Sequence, residues 1–357
     1  MLEMLGVADA EVSSSVGMVL LTAKGSLYPS AAGSPPRAPT PKRKRISMSR
    51  VAVVQATPVL FDTPKTISKA IDLIAECSRG GAEFAVFPEA FIGGYPKGMQ
   101  FGTTLGMRTE EGRKVFARYA RNAVELHGPE MQFLCGASAE NNVFVMMGII
   151  ERLGNTLYCS VASISPEKGI VGVRRKLMPT ALERLIWGFG DGSTMEAVDT
   201  PVGRAGAVIC WENYMPLLRQ SMYSQGIEIY CAPTVDDRPI WQASMTHIAL
   251  EGRVFVLSAC QYLTREDFAE VDRESLHYVG DTPIRGGSVI IDPLGRPIAG
   301  PVYDQECTLF ADIDLSIKTG SHLDFDPVGH YSRPDIFTLH VERSPRNSVV
   351  DRASVQE

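Results

Sequence analysis

Three side chains in this 357-residue sequence are of types that can do covalent chemistry together. Cys210, in VICWEN, can serve as a nucleophile. Glu89, in FPEAF, can move protons. Lys176, in RRKLMPT, can hold a positive charge beside both. A thiol attacks well only as the thiolate, and its unperturbed pKa is about 8.5. A nearby lysine and the N-terminus of a following helix would both favour that form, and Pro216 suits the first turn of such a helix. A carboxylate within reach can take the thiol proton and later hand it to a leaving nitrogen. The ammonium can also stabilise the oxyanion of a tetrahedral intermediate. The set therefore suits attack at a carbon bonded to nitrogen.

All three must be delivered by the elements around them. Val51–Ala56 reads as a buried strand. Thr63 is the expected N-cap of a helix with Pro64 at its first position, and Ile67, Ala70, Ile71, Ile74 and Ala75 follow at one-face helical spacing. Gly80-Gly81 stops that helix, and Phe84–Phe87 is a second apolar strand, so a parallel βαβ unit is expected. Helices are predicted over 109–126 and 129–140, and strands over Val143–Ile150, Leu157–Ser165 and Ile170–Arg175. Strand–helix–strand recurs as Ala205–Ile209, a helix from Met215 to Gln225, and Ile227–Cys231. A helix over 239–250, a strand over 254–259, a hairpin over Gly287–Ile298 and a strand over 307–313 complete the core. Residues 264–285 read as a polar surface loop. Alternating strands and helices with doubly apolar strands mean an α/β fold whose helices cover the sheets. Glu89, Lys176 and Cys210 each follow a strand, and ligands in such folds gather beyond strand ends. A single charge after a strand marks little more than where the strand stops; three reactive groups in equivalent places carry more weight.

Composition narrows the function. Charged residues make up 21% and hydrophobic residues 45%, ordinary values for a globular protein. No run approaches the roughly 20 apolar residues of a membrane helix. A net charge of -6 argues against nucleic acid as a partner. The seven cysteines are scattered and odd in number, which reads as a reduced, cytoplasmic setting rather than a disulfide framework. No CxxC or HExxH spacing is present, so no metal is expected. Residues 1–48 are rich in Ser, Pro, Ala and Gly and carry Pro41-Lys42-Arg43-Lys44-Arg45. They are expected to be a disordered extension. An organelle transit peptide, a nuclear signal and a true start at Met48 compete as explanations of it. The ordered domain is expected over 49–320, followed by a tail over 321–357 that could cross to a partner subunit.

With FPEAF, RRKLMPT and VICWEN in that order, the sequence resembles the nitrilase (carbon–nitrogen hydrolase) superfamily over about residues 50–340. AFIGGYP, PTALERLIWGFGDGS, CWENYMPLLR, IEIYCAPT, SMTHIALEGR and FDPVGHYSRPD are similar to the nitrilase branch, and within it to plant-type nitrilases. The resemblance implies a four-layer αββα sandwich. It also implies pairing through outer helices, and extension of the dimers into spirals or filaments. It makes Glu89 the general base and acid, Lys176 the stabilising cation and Cys210 the nucleophile. Glu183, in ALER, matches a second glutamate that positions substrate and lysine, and the Trp211 backbone amide is an oxyanion donor. The implied reaction converts a nitrile to acid and ammonia through a thioimidate and a thioester, without a cofactor. Expulsion of the thiol from the tetrahedral intermediate would give an amide instead. Substrates implied are β-cyanoalanine or arylaliphatic nitriles, and ALERLIWGFGDGS leans toward the former. Residues 264–285 depart from the plant pattern, which is longer there. An amidase or nitrile hydratase of the same superfamily is the enzymatic alternative, and a non-catalytic oligomer or filament component the other.

Trp187 and Tyr95 are candidates for the wall of the substrate pocket or for plain core packing, and Trp211 for the wall. His247 and His330 read as hydrogen-bonded structural histidines. The other six cysteines read as small core hydrophobes. Gly188–Gly192 resembles a phosphate loop in composition, but it lacks the GK[ST] ending and does not join a strand to a helix.

Overall fold

A computed structural model describes residues 48–273, 276, 280–347 and 349, all within the compact unit Ile46–Glu357. The disordered extension and the basic run fall on residues outside this set, Met48 excepted.

Two sheets lie face to face. The first runs Cys307–Ile313, Ser49–Gln55, Phe84–Val86, Phe144–Leu153, Thr156–Ser165, Gly169–Arg175 in spatial order. The second runs Tyr262–Leu263, Ile284–Ile291, Phe255–Ser258, Ile229–Cys231, Gly203–Ala207, Val198–Thr200, with Pro297–Tyr303 also paired to Ile284–Ile291. The central strands of each sheet are parallel and are linked by helices, as the two expected βαβ units require.

Strand alternation sorts the side chains into layers. Val51, Val53, Phe84 and Val86 point toward Ala205, Ala207, Ile229 and Phe255 of the other sheet. The intervening Ala52, Val54 and Ala85 pack on α1 (Thr63–Arg79), together with Leu134 and Ala137 from further along the chain. Helix α2 spans Glu110–Arg121, and Leu134 and Ala137 belong to α3 (Pro129–Asn141). On the second sheet Val208, Tyr230 and Val256 pack against Leu218 and Met222 of α4 (Pro216–Tyr223) and Trp241, Met245 and Ile248 of α5 (Pro239–Gly252). Helix, sheet, sheet and helix are thus stacked as an αββα sandwich. Burying one such side chain contributes about 1.5–3 kcal/mol.

Several local expectations are corrected. Asp62, not Thr63, caps α1, its carboxylate accepting from the Lys65 N–H. The Thr63 hydroxyl is drawn away to the Asn122 carbonyl at 2.5 Å. Helix α2 stops at Arg121 rather than near 126, because Val124 donates to Ile150 O at 2.9 Å and joins the sheet margin. Residues 264–285 are more than a polar surface loop. Within their described part, Phe268 and Leu276 are buried with Met99, Val235 and Cys260, and Asp272 pairs with Arg118. Their apolar residues are sparse in sequence but converge in space. The described tail runs over the second sheet's side: Pro327 O accepts from Gln220, Val341 packs by α4 and α5, and Arg343 donates to Met195 O.

Candidate active site

Glu89 sits in a short loop after Phe84–Val86. Phe87 N donates to Met146 O at 2.8 Å and Ile92 N to Gly148 O at 3.0 Å, so the loop is stitched to its neighbouring strand on both sides of the carboxylate. A Cβ on Gly148 would stand 1.8 Å from Pro88 O. Only glycine lets the loop lie this close. Lys176 directly follows Gly169–Arg175, and its backbone is fixed by bonds to Cys159 O and from Gly190 N, both 2.8 Å. Close packing explains the glycines of 188–192: Gly188 lies against Thr156 and Tyr158, Gly190 against Arg175, and a Cβ at Gly192 would meet Glu342 O of the tail at 1.8 Å.

Cys210 opens a single 3-10 turn, Cys210–Tyr214, with φ of +51°. A non-glycine residue there is strained, and such strain gathers at functional sites. The strain is held by three bonds: Cys210 N to Pro233 O at 2.8 Å, and Asn213 Nδ2 to Cys210 O at 2.7 Å and Val208 O at 3.0 Å. The expected following helix exists as α4 with Pro216 in its first turn, but Cys210 lies ahead of it on the 3-10 turn.

The three strand ends meet in one buried cluster. Lys176 Nζ donates to Glu89 Oε1 at 2.6 Å and to Glu183 Oε2 at 2.8 Å. Glu183 Oε2 also accepts from Thr180 N at 2.6 Å, and its Oε1 from the Tyr95 hydroxyl at 2.6 Å. Burial raises the Glu89 carboxyl above the ordinary range; Lys176 opposes this and Glu183 adds to it. Burial alone would lower the Lys176 ammonium, but Glu89 and the surrounding acidic groups hold it well above the ordinary lysine value. The Cys210 thiol is raised by burial and by Glu89, against Lys176. Burial and Glu89 thus work against the thiolate that Lys176 favours. Glu89 Oε2 is buried without a hydrogen-bond partner among the described residues, a carboxylate oxygen still free to accept a proton.

A cleft of about 850 Å³ opens beside the cluster. Glu183, Tyr95 and Trp187 form part of its lining, with Met99, Phe101 and Phe116 further along. Tyr95 and Trp187 meet edge to face at 5.6 Å, and Lys176 Nζ lies 5.5 Å from the Trp187 ring centre. Both also pack against the inter-sheet core, so wall and core roles coincide. The Trp211 side chain is turned outward, bonded to Asp236 at 2.9 Å and stacked under Arg238. It does not line that cleft. The Trp211 backbone N–H falls in the first turn of the 3-10 segment, where the helix supplies no acceptor.

Some members of the site were not singled out from the sequence. Thr234 donates to Cys210 Sγ at 3.2 Å, and Gln261 Nε2 donates to Glu89 O at 2.7 Å. Cys159, expected as a core filler, has its sulfur 3.5 Å from Glu89 Oε1. Glu212 accepts from Ile209 N, Leu177 N and Arg174, tying the cysteine loop to the lysine loop. Thr234 ends the motif IEIYCAPT and Glu212 lies in CWENYMPLLR, signals that could have drawn attention to both, whereas Gln and Cys are too common in strands to be singled out singly. His247 stands exposed beside Glu251 at 3.6 Å and His330 against Tyr331, both away from the cluster. Among the described residues no three His, Cys, Asp or Glu side chains come together as metal ligands would.

The family pattern described as "Carbon-nitrogen hydrolase" matches residues 50–318. The chain belongs to the carbon–nitrogen hydrolase family. Its relatives within that family include an aliphatic nitrilase of Sinorhizobium fredii (strain HH103). That protein is 55% identical over 85% of this chain and 99% of its own length. A bifunctional nitrilase/nitrile hydratase, NIT4A, of Lupinus angustifolius is 51% identical over 84% of this chain and 88% of its own. At such identity over most of the chain, this carbon–nitrogen hydrolase stands with the nitrilases. A carbon–nitrogen hydrolase from Helicobacter pylori G27 has the same fold. It superposes with a TM-score of 0.66 at 20% identity, over 81% of this chain and 97% of its own. Among the described residues no helix is long and apolar enough to cross a membrane.

Proposed function

We propose that this nitrilase hydrolyses an organic nitrile to the carboxylic acid and ammonia through covalent intermediates on Cys210. The observation that carries the reading is the shared burial of a thiol, a carboxylate with one uncommitted oxygen, and an ammonium bridging two carboxylates. Cys210 Sγ attacks the nitrile carbon while its proton passes through Glu89 to the nitrile nitrogen, giving a thioimidate. Glu89 then removes a proton from water as it adds to the thioimidate carbon. A tetrahedral intermediate with C–S, C–N and C–O bonds results. Breaking C–N, with proton delivery by Glu89, releases ammonia and leaves a thioester, and a second water frees the acid and the thiol. Lys176 and the Trp211 N–H stabilise charge building on the substrate, and Glu183 holds the ammonium in place. Breaking C–S instead gives an amide, so hydratase activity is a branch of the same path.

Tyr95, Phe101, Phe116 and Trp187 in the cleft suit an arylaliphatic nitrile, while Lys97, Arg108, Arg113 and Arg184 in the same lining suit the carboxylate of β-cyanoalanine, so both are substrates to try. Self-association through the outer helices is part of the proposal. It is supported by Leu217, Ile240 and Leu250, which are exposed on α4 and α5. The test is release of ammonia, acid and amide from a panel containing β-cyanoalanine, phenylpropionitrile and indoleacetonitrile. Wild type should turn over at least one nitrile and Cys210→Ala none. Equal product from both would overturn the assignment of Cys210.

A further inference from the structure

The Thr234 hydroxyl has only one proton, and the structure leaves it one direction. Thr234 is fully buried just beyond Ile229–Cys231. Its backbone is fixed by Thr234 N to Ala259 O at 2.8 Å and by a bridge to Cys260. Its Oγ1 accepts the Asp236 N–H at 2.9 Å. That N–H occupies a lone pair and turns the hydroxyl proton elsewhere. The other partner of Oγ1 is Cys210 Sγ, at 3.2 Å. The preceding residue supplies the carbonyl that holds the Cys210 N–H. Asp236 is itself pinned by Arg238 and by Trp211 Nε1. The donor and the nucleophile are thus fixed to one another from both strands.

We infer that Thr234 stabilises negative charge on Cys210 sulfur and thereby sets how the tetrahedral intermediate divides between acid and amide. The inference rests on the nitrile chemistry proposed above. In that intermediate the reacting carbon carries S, NH2 and OH. If C–N breaks, the hydroxyl proton passes through Glu89 to nitrogen, ammonia leaves, and the thioester forms. If C–S breaks, the electron pair goes to sulfur, the hydroxyl proton reaches it through Glu89, and amide and free thiol result. A hydrogen bond to sulfur favours the departing thiolate. It does nothing for departing ammonia. Thr234 therefore favours the amide branch, and it also assists the attacking thiolate in the first step.

The experiment compares wild type, Thr234→Val, Thr234→Ala and Thr234→Ser. The acid-to-amide ratio is internal to each turnover, so it does not depend on the amount of folded protein. Removing a hydrogen bond to charged sulfur should raise the ratio about tenfold in the Val and Ala variants, while Ser restores it. Independently of any nitrile, the alkylation rate of Cys210 by iodoacetamide, followed on its own peptide by mass spectrometry, should fall about tenfold at fixed pH in Val and Ala. Ser should again restore it. Wild-type ratios and alkylation rates in Val and Ala would overturn the inference. Slowed alkylation with no nitrile turnover even in wild type would leave the Thr234–sulfur bond standing and overturn the nitrilase reading.

Discussion

Lys176→Met removes the cation that bridges two buried carboxylates. Lys176 Nζ stands 2.6 Å from Glu89 Oε1 and 2.8 Å from Glu183 Oε2, and the side chains of Lys176 and Glu89 are fully buried. Breaking a buried pair by removing one partner costs about 3–5 kcal/mol, because an uncompensated charge is left behind. Here the charge can be relieved by a proton. Glu89 already has a folded-state pKa raised above its unfolded value, and Lys176 is what holds it down. In the variant it rises further. The folded state then binds a proton that the unfolded state has released, so stability is lost as pH climbs from the unfolded pKa through the folded one. The deficit relative to wild type should be small near pH 4.5 and approach the full ~3–5 kcal/mol at pH 8. Urea unfolding at the two pH values measures it. Adding Glu183→Gln to Lys176→Met should recover part of the deficit. A deficit that does not change with pH would refute the argument.

Two further outcomes follow from the same geometry. Gly148→Ala places a Cβ 1.8 Å from Pro88 O and must push the Glu89 loop outward. A displacement of about 1 Å at a catalytic group costs on the order of 100-fold in kcat, and steady-state kinetics on a soluble variant would show whether it does. Glu89 acts as a base only when ionised, and burial raises its pKa. Activity should therefore rise with pH on the acid side with a midpoint above the ordinary glutamate range. A kcat/KM profile whose acid limb lies within that range would contradict the assignment of Glu89.

Much of this architecture is legible in the chain because strand and helix periods are local. The alternation of Val51, Ala52, Val53 and Val54 sorts their side chains onto opposite faces of the sheet, and the spacing of Ile67, Ala70 and Ile74 defines the inner face of α1. The candidate trio is also legible: each member follows a strand, three motifs in fixed order single out Glu89, Lys176 and Cys210, and ALER adds Glu183. What sequence could not supply is anything made by the meeting of distant segments. Residues 264–285 look polar because Phe268 and Leu276 are isolated in the chain, and they find Met99 and Cys260 only after folding. Thr234 reaches Cys210 across 24 positions; it ends the motif IEIYCAPT, but the motif does not say what its hydroxyl meets, and Gln261 reaches Glu89 across 172 in a context with no periodic or motif signal. The electrostatic balance at Cys210 likewise depends on the tertiary structure. Lysine next to cysteine argues for a thiolate, but burial of the sulfur beside Glu89 outweighs the lysine. Local pattern determines which elements form and which side chains they carry outward or inward. Desolvation and long-range contacts decide what those side chains can do, because both depend on everything packed around them.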